Sequence, residues 1–211
     1  MKNNEKKTLI IQEARKLFYD KGYNDTNLKE IAAACGIRKQ TVSYYFGAKA
    51  NLGLAVYDQI SDEFLAFFRE RALKEYAQTD KRVIDAASTL WTIDYYKADK
   101  KALRFYEEFI FGTLTSVDVI AKERERHRAI SYLGEPDELV YTGARFAAIG
   151  SLYYYCEGKL SVDEDAFGRY YIGLIYSAYI KDEKILDDIY NQAKALCGKL
   201  ILHWAPYFVL M

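Results

Sequence analysis

The sequence is short of proline, histidine and cysteine, and each shortage excludes a kind of structure or chemistry. Only two of the 211 residues are proline, so helices can run without interruption. The only two histidines, His127 and His203, are far apart and give no metal-ligand spacing. The three cysteines, Cys35, Cys156 and Cys197, form no CxxC pair. They predict neither a zinc site nor a disulfide framework, and they are expected in a reducing cytoplasm.

Segments that mark membrane proteins, secreted proteins or common enzymes are also missing. No apolar run approaches the roughly 20 residues that span a bilayer, and we recognise no signal peptide. No Gly-rich phosphate loop and no nucleophile elbow occurs. We therefore expect a cytoplasmic protein that uses no cofactor and is not an enzyme. The apolar stretch 200–211 is short and contains His203 and Pro206, so we expect it to pack on the body of the protein or on a partner.

The net charge of zero hides an uneven distribution. The whole chain carries 30 basic and 30 acidic residues. Residues 1–50 hold ten Lys and Arg against five Asp and Glu, which gives this part a charge of +5 and the rest a charge of −5. A basic N-terminal head on an acidic body predicts that the head alone meets nucleic-acid phosphate.

Apolar residues make up 51% of the chain and recur at helical spacing, which predicts an all-α fold. The first helix is expected over 4–21, with Gly22 as its left-handed stop and a hydrophobic contact between Phe18 and Tyr23. A long helix is expected to join head and body. Two domains are expected, a DNA-binding head over 1–48 and a larger helical domain over 49–211. Helices of the larger domain are expected over 49–76, 80–97, 100–128 with a break near Gly112 or earlier, 137–157, 162–179 and 183–196.

The stretch 26–46 has the pattern of two short helices joined by a tight turn. One apolar helix face is formed by Leu28, Ile31, Ala32 and Cys35, at steps of three and four. Gly36 follows and can take a positive φ in the turn, and Thr26 suits the N-cap of the first of these helices. Such a unit near the N-terminus predicts a DNA-binding helix-turn-helix.

The second helix of this unit has an inward and an outward face. Ile37, Thr41, Val42, Tyr45 and Phe46 are expected to pack inward. The outward face is expected to read bases in a major groove, because arginine or lysine pairs with guanine and glutamine with adenine. Phosphate contacts are predicted for Thr26, Tyr45 and Lys49. The alternative is a polar helix face without a partner. The predicted base-reading residues are Arg38, Lys39, Gln40, Ser43 and Tyr44.

Residues 10–52 resemble the head of the TetR family of bacterial transcriptional regulators. The resemblance implies a repressor that binds a palindromic operator as a homodimer and is released by a small-molecule effector. Arg38, Gln40 and Ser43 depart from the usual residues of the family, so a TetR-fold co-activator or adaptor that has lost DNA binding is the alternative. The matching residues are Ala14, Leu17, Phe18, Gly22, Tyr23, Thr26, Ile31, Ala32, Gly36, Ile37, Thr41, Tyr45, Phe46, Lys49 and Leu52.

Two sets of residues in the body are candidates for binding. Helices 137–157 and 162–179 carry small and apolar residues suited to a dimer interface, although small residues also serve packing within one chain. In the second set, aromatic residues are expected to line the effector pocket that the resemblance implies, with ordinary core as the alternative. A carboxylate among them suggests a cationic or aromatic ligand. The interface candidates are Gly143, Ala147, Gly150, Tyr171, Leu174 and Ala178, and the pocket candidates are Trp91, Tyr95, Phe105, Glu108, Phe109 and Tyr154.

Overall fold

The computed structural model describes residues 3–112 and 134–211, which are helical apart from loops and one small hairpin. The charged run 122–128, with His127, and the predicted helix end at 128 lie outside these residues. None of the described helices is both long and apolar enough to cross a membrane. The helices are α1 (Asn3–Asp20), α2 (Leu28–Ala34), α3 (Lys39–Phe46), α4 (Lys49–Glu75), α5 (Lys81–Ala98), α6 (Lys100–Phe105), α7 (Glu138–Cys156), α8 (Glu164–Tyr176) and α9 (Glu183–Cys197).

Helix α1 ends as the sequence predicts. Gly22 has a φ of +100°, and its N–H donates to the carbonyl of Phe18 at 3.1 Å. The rings of Phe18 and Tyr23 then meet edge to face, with centroids 5.1 Å apart. This stop turns the chain back so that α2 packs on α1.

The start of α2 differs from the prediction. Asn27 is the N-cap, and its side-chain oxygen accepts from the N–H groups of Lys29 and Glu30, while Glu30 accepts from the N–H of Asn27. This reciprocal pair is a capping box. Thr26, predicted as the cap, is 1% exposed, and its hydroxyl donates to the carbonyl of Gly22 at 2.6 Å. The cap prediction was wrong by one residue because Thr26 closes the preceding turn.

The turn between α2 and α3 is the predicted one. Gly36 has a φ of +64°, a conformation that glycine adopts without strain. Ala32 and Val42 are buried at the crossing of the two helices. We call α1–α3 the reading head, because their arrangement leaves one side of α3 exposed.

The reading head and the body share one hydrophobic core. Phe18 of α1 stacks on Phe105 of α6, with centroids 5.8 Å apart. Helix α4 runs from the head into the body over 27 residues, about 40 Å at 1.5 Å per residue. It passes so close to Phe109 that a Cβ at Gly53 would lie 2.5 Å from that ring. The body is therefore packed directly on the head as well as joined to it by α4.

A π-helical segment, Tyr106–Phe111, continues α6, and its two sides pack against different parts of the protein. Phe109 packs against Tyr23 of the head, with ring centroids 4.9 Å apart. Tyr106 and Ile110 point to the other side and line a cavity in the body. The sequence predicted a break near Gly112 or earlier and did not predict the π-helix. Such segments are rare and are frequent at functional sites.

The rest of the body is a helical layer closed by a C-terminal hairpin. Helix α9 packs on α5 and α8, and α7 packs on α8. After α9 the chain forms two short antiparallel strands, β1 (Trp204–Ala205) and β2 (Val209–Leu210). Phe208, between the strands, is 2% exposed and contacts Tyr19 of α1. The apolar stretch 200–211 thus packs on its own chain, where it touches both body and head.

Candidate DNA interface and effector cavity

The outward face of α3 is presented as the sequence predicts. Arg38 is the N-cap residue in extended conformation and makes no side-chain capping bond. Arg38, Lys39 and Gln40 are exposed, and Ser43 is partly exposed. The ring of Tyr44 is 79% exposed, which is unusual for so large an aromatic side chain. This face is free to enter a groove, and its contacts with bases stay a prediction.

Two of the three predicted phosphate contacts are used inside the protein. The buried hydroxyl of Thr26 serves Gly22, as described above. The ammonium of Lys49 donates to the carbonyls of Tyr23, Asn24 and Thr26 at 2.9, 3.3 and 3.0 Å. It also lies 4.4 Å from the centroid of the Tyr23 ring. Thr26 and Lys49 therefore hold the loop between α1 and α2, and the structure contradicts their assignment as phosphate contacts.

Tyr45 remains a candidate phosphate contact, and two residues that the sequence analysis did not single out, Asn4 and Lys7, lie beside it. Together with Tyr44, Asn4 and Lys7, it lines a polar surface groove between α1 and α3. Lys7 is exposed, with its ammonium 6.0 Å from the centroid of the Phe46 ring. The charge of the N-terminal run pointed to this region, but only the packing of α1 on α3 brings Lys7 beside the outward face.

The body contains a cavity of about 180 Å³ beneath the reading head. Tyr95 is the one predicted pocket residue that lines it. The walls also include Ser88 and Thr92 of α5, Tyr106 of the π-helical segment and Trp204 of the hairpin. Burial raises the pKa of the Tyr106 phenol well above its usual range, so this hydroxyl stays neutral and donates to the carbonyl of Ile149 at 3.2 Å. The cavity is mostly apolar with a few hydroxyl groups, as expected of a small-molecule site.

The other predicted pocket residues lie elsewhere. Phe105 and Phe109 are buried between head and body, and Glu108 accepts from the backbone N–H of Asn24 at 2.8 Å. Trp91 lines a separate cavity of about 280 Å³ beside α9. Tyr154 is 46% exposed on the surface. The prediction that these residues surround one ligand was wrong, because apolar spacing shows that a residue is buried but not which neighbour covers it.

The predicted interface residues divide into an exposed and a buried group. Gly143 and Ala147 are exposed on α7, and Gly150 and Leu174 are partly exposed. Their surroundings include the exposed apolar side chains Leu139, Phe146, Tyr154 and Tyr170. Tyr171, in contrast, is 6% exposed and lines the cavity, and Ala178 is 4% exposed and packs with Tyr141. Tyr171 and Ala178 are therefore corrected to residues of the chain's own core.

The sequence of the reading head is similar to the sequences of known transcriptional regulators. Residues 10–56 match the sequence pattern of the family described as bacterial regulatory proteins, tetR family. The uncharacterized HTH-type transcriptional regulator YuxN of Bacillus subtilis is 44% identical over 59 residues, 28% of this chain and 20% of the relative. The HTH-type transcriptional regulator RutR of Escherichia coli is 39% identical over 79 residues, 34% of this chain and 37% of the relative. The matches thus cover well under half of these relatives.

Solved structures extend the likeness to the body. RolR in complex with resorcinol is 18% identical, with a TM-score of 0.52 over 90% of this chain and 93% of that chain. A tetR-family transcriptional regulator from Streptomyces coelicolor is 19% identical, with a TM-score of 0.53 over 92% and 90% of the two chains. At this identity the likeness shows a shared fold. The reading head thus matches the tetR family of bacterial regulatory proteins by sequence, and the chain as a whole shares its fold with a solved tetR-family regulator.

Proposed function

We propose that this chain is a ligand-responsive, DNA-binding transcriptional regulator of the cytoplasm. It acts as a homodimeric repressor that binds a palindromic operator and is released when a small molecule fills the body cavity. The observation that supports DNA binding is the exposed face of α3, where Arg38, Lys39, Gln40 and Tyr44 lie together within the basic segment 1–50. Side chains at the N-terminal end of such a helix reach base edges in the major groove.

The packing around the cavity supports regulation by a ligand. The elements that wall the cavity also contact the reading head. In the π-helical segment, Tyr106 faces the cavity and Phe109 packs on Tyr23. In the hairpin, Trp204 faces the cavity and Phe208 packs on Tyr19. A ligand that moves either wall therefore moves a head contact, and the orientation of α3 depends on those contacts.

An exposed apolar face supports the dimer. Along α7, Leu139, Gly143, Phe146, Ala147 and Tyr154 follow one another at helical spacing on the outer side. Leu139 is 83% exposed and Phe146 is 40% exposed. Contiguous apolar surface of this kind marks an interaction site. A second copy related by a two-fold axis would cover it and would set two reading heads side by side, as palindromic half-sites require.

The DNA-binding part is tested by fluorescence anisotropy with purified protein. The labelled probes are the intergenic DNA next to the protein's own gene and a scrambled duplex of the same length and composition. We expect at least about a hundredfold preference for the intergenic DNA near physiological salt. The triple variant R38A/K39A/Q40A should keep the fold, because all three residues are exposed, and it should abolish that preference.

The alternative, an adaptor of this fold without sequence-specific DNA binding, makes the opposite prediction. Such a protein would bind both duplexes equally and weakly, with affinity that vanishes as salt is raised. The exposed basic residues at the start of α3 disfavour it, because no described contact uses the side chain of Arg38 or Lys39 to stabilise the fold.

A further inference from the structure

The cavity walls also indicate the chemical class of the effector, an inference that rests on the proposed function. Aromatic rings make up much of the wall, among them Tyr95, Tyr106 and Trp204. Tyr95 and Trp204 are stacked with centroids 4.0 Å apart and an interplanar angle of 19°. Trp204 also stacks on Phe64, with centroids 5.1 Å apart, so these rings form a rigid aromatic wall. Such a wall favours a planar aromatic ligand, which gains dispersion and quadrupole attraction from edge-on contact or from an uncovered ring face.

The size of the cavity limits the ligand to about one ring. Its volume is about 180 Å³. An apolar protein cavity of about 150 Å³ is known to hold benzene. A single benzene ring with one or two small substituents therefore fits, whereas two fused rings require the walls to move apart.

The hydroxyl groups of α5 determine which polar group the ring must carry. The Ser88 hydroxyl donates to the carbonyl of Asp85 at 2.7 Å, and the Thr92 hydroxyl donates to the carbonyl of Ser88 at 3.0 Å. With their protons used by backbone carbonyls, both oxygens present lone pairs and can accept a hydrogen bond from a ligand. The matching ligand group is a hydrogen-bond donor.

The charge of the described lining residues disfavours a cationic donor. No carboxylate lines the cavity within residues 3–112 and 134–211, and the charged lining residue there is Arg145. An ammonium group in this cavity would lose its hydration without meeting a carboxylate of the described lining. The earlier expectation of a cationic ligand depended on Glu108, which contacts the head instead.

We propose that the effector is a single aromatic ring bearing an uncharged hydroxyl group, a phenol in the broad sense. The ring lies among Tyr95, Tyr106 and Trp204, and its hydroxyl donates to the oxygen of Thr92 or Ser88. Both the ring and the hydroxyl are required, because the described part of the wall supplies apolar contact, the acceptor oxygens of α5 and the donor groups of Tyr95 and Trp204, but no carboxylate.

Binding is tested with phenol as the probe and three ligands that each change one property. Benzene removes the hydroxyl, benzylammonium adds a cation, and 1-naphthol adds a second ring. The two tryptophans are Trp91 and Trp204, so the Trp91→Phe variant leaves Trp204 in the cavity wall as the only indole reporter. We expect phenol to change the Trp204 emission with a Kd at least about tenfold lower than that of each other ligand. Tighter binding of benzene, benzylammonium or 1-naphthol than of phenol would overturn the proposal.

Variants of Thr92 and Ser88 distinguish the hydrogen bond of the ligand hydroxyl from apolar packing of the ring. T92V, alone and with S88A, keeps the shape of the wall and should bring the affinity for phenol down to that for benzene. The matched control is T142V, because the Thr142 hydroxyl also donates to a helix carbonyl, that of Glu138 at 2.8 Å, but lies outside the cavity. Phenol binding that survives in T92V/S88A, with circular dichroism showing an intact fold, would contradict the assigned acceptors.

Operator binding by the same samples distinguishes this inference from the proposed function. If phenol binds the cavity and operator affinity does not change, the ligand class stands and regulation by the cavity is wrong. If the protein binds its operator but phenol leaves the Trp204 emission unchanged up to millimolar concentration, the ligand class is wrong and the DNA-binding function stands.

Discussion

The guanidinium of Arg15, in the first helix, donates to the carbonyl of Phe208 at 3.0 Å, across 193 positions of sequence. The same side chain donates to the carbonyl of Tyr207 at 2.7 Å and pairs with Glu63 of α4. Tyr207 and Phe208 have φ values of +65° and +61°, which costs free energy for residues with a Cβ. Arg15 thus joins the reading head, α4 and a strained hairpin at one point.

Replacing Arg15 with methionine should lower the free energy of unfolding by about 2–4 kcal/mol. The change leaves two carbonyls and the Glu63 carboxylate without their charged donor while keeping most of the apolar stem. Urea unfolding followed by circular dichroism measures the loss. E63Q is the matched control and should cost less than about 1 kcal/mol, because the Glu63 side chain is 48% exposed. Equal losses in the two variants would show that the hairpin carbonyls contribute nothing.

Replacing Lys49 with methionine should lower the stability of the fold and leave the salt dependence of operator binding unchanged. Its ammonium serves three carbonyls of the loop after α1, so the variant should unfold at lower temperature while the slope of log K against log salt for operator binding is unchanged. K39A should behave in the opposite way, with an unchanged melting temperature and a slope reduced by about one. Thermal melts and anisotropy titrations at several salt concentrations measure both. A reduced salt slope in K49M would restore the role of Lys49 as a phosphate contact.

A methyl group at Gly53 should disturb the contact between α4 and the π-helical segment. The Cβ of an alanine would lie 2.5 Å from the ring of Phe109, which is fully buried and has little room to move. We expect G53A to lose about 1–3 kcal/mol of stability. The double variant G53A/F109L should recover part of this loss, because leucine withdraws the clashing ring edge. Independent, additive losses in the double-mutant cycle would exclude the clash as the cause.

An acidic residue on the outer face of α7 should separate the dimer. F146E places a charge within the exposed apolar surface, and sedimentation velocity should then show a monomer at micromolar concentration with an unchanged circular dichroism spectrum. K181E is a surface control on the exposed loop after α8 and should leave the sedimentation coefficient unchanged. A wild-type protein that sediments as a monomer would contradict the dimer itself.

Cys156 and Cys197 should resist alkylation in the folded protein. Burial raises the pKa of both thiols to about 12, so at pH 8 only about one molecule in ten thousand carries the reactive thiolate at either position. Iodoacetamide labelling followed by peptide mass spectrometry should detect both residues only after denaturation in urea. Rapid labelling of Cys197 in native protein would mean that its thiol is reached by solvent.

Local features of the fold could be predicted from the sequence, and features that depend on distant neighbours could not. Gly22 and Gly36 act within a few residues of their position, so the stop after α1 and the helix-turn-helix turn were correct. Lys49 was misassigned because its carbonyl partners belong to a loop more than 20 residues earlier, and nothing in its own surroundings reveals that loop.

The same reasoning explains the errors in the body. The spacing of Phe105 and Phe109 correctly predicted a buried face, but the covering surface turned out to be the reading head rather than a ligand. Trp204 lines the cavity from a strand of two residues, too short to show any periodicity. Residues that long-range packing brings together could be found only from the structure.

The burial of Phe208 against Tyr19 and Phe105 also determines when the head can be completed during synthesis. Helices α1–α3 leave the ribosome early, yet the apolar surface that Phe208 covers stays open to water until residue 208 has been added and has left the ribosome. In a chain released before that point, Tyr19 of α1 and Phe105 of α6 lack the aromatic contacts that Phe208 provides. The core that joins α1 to the body is therefore complete only in chains that contain residue 208.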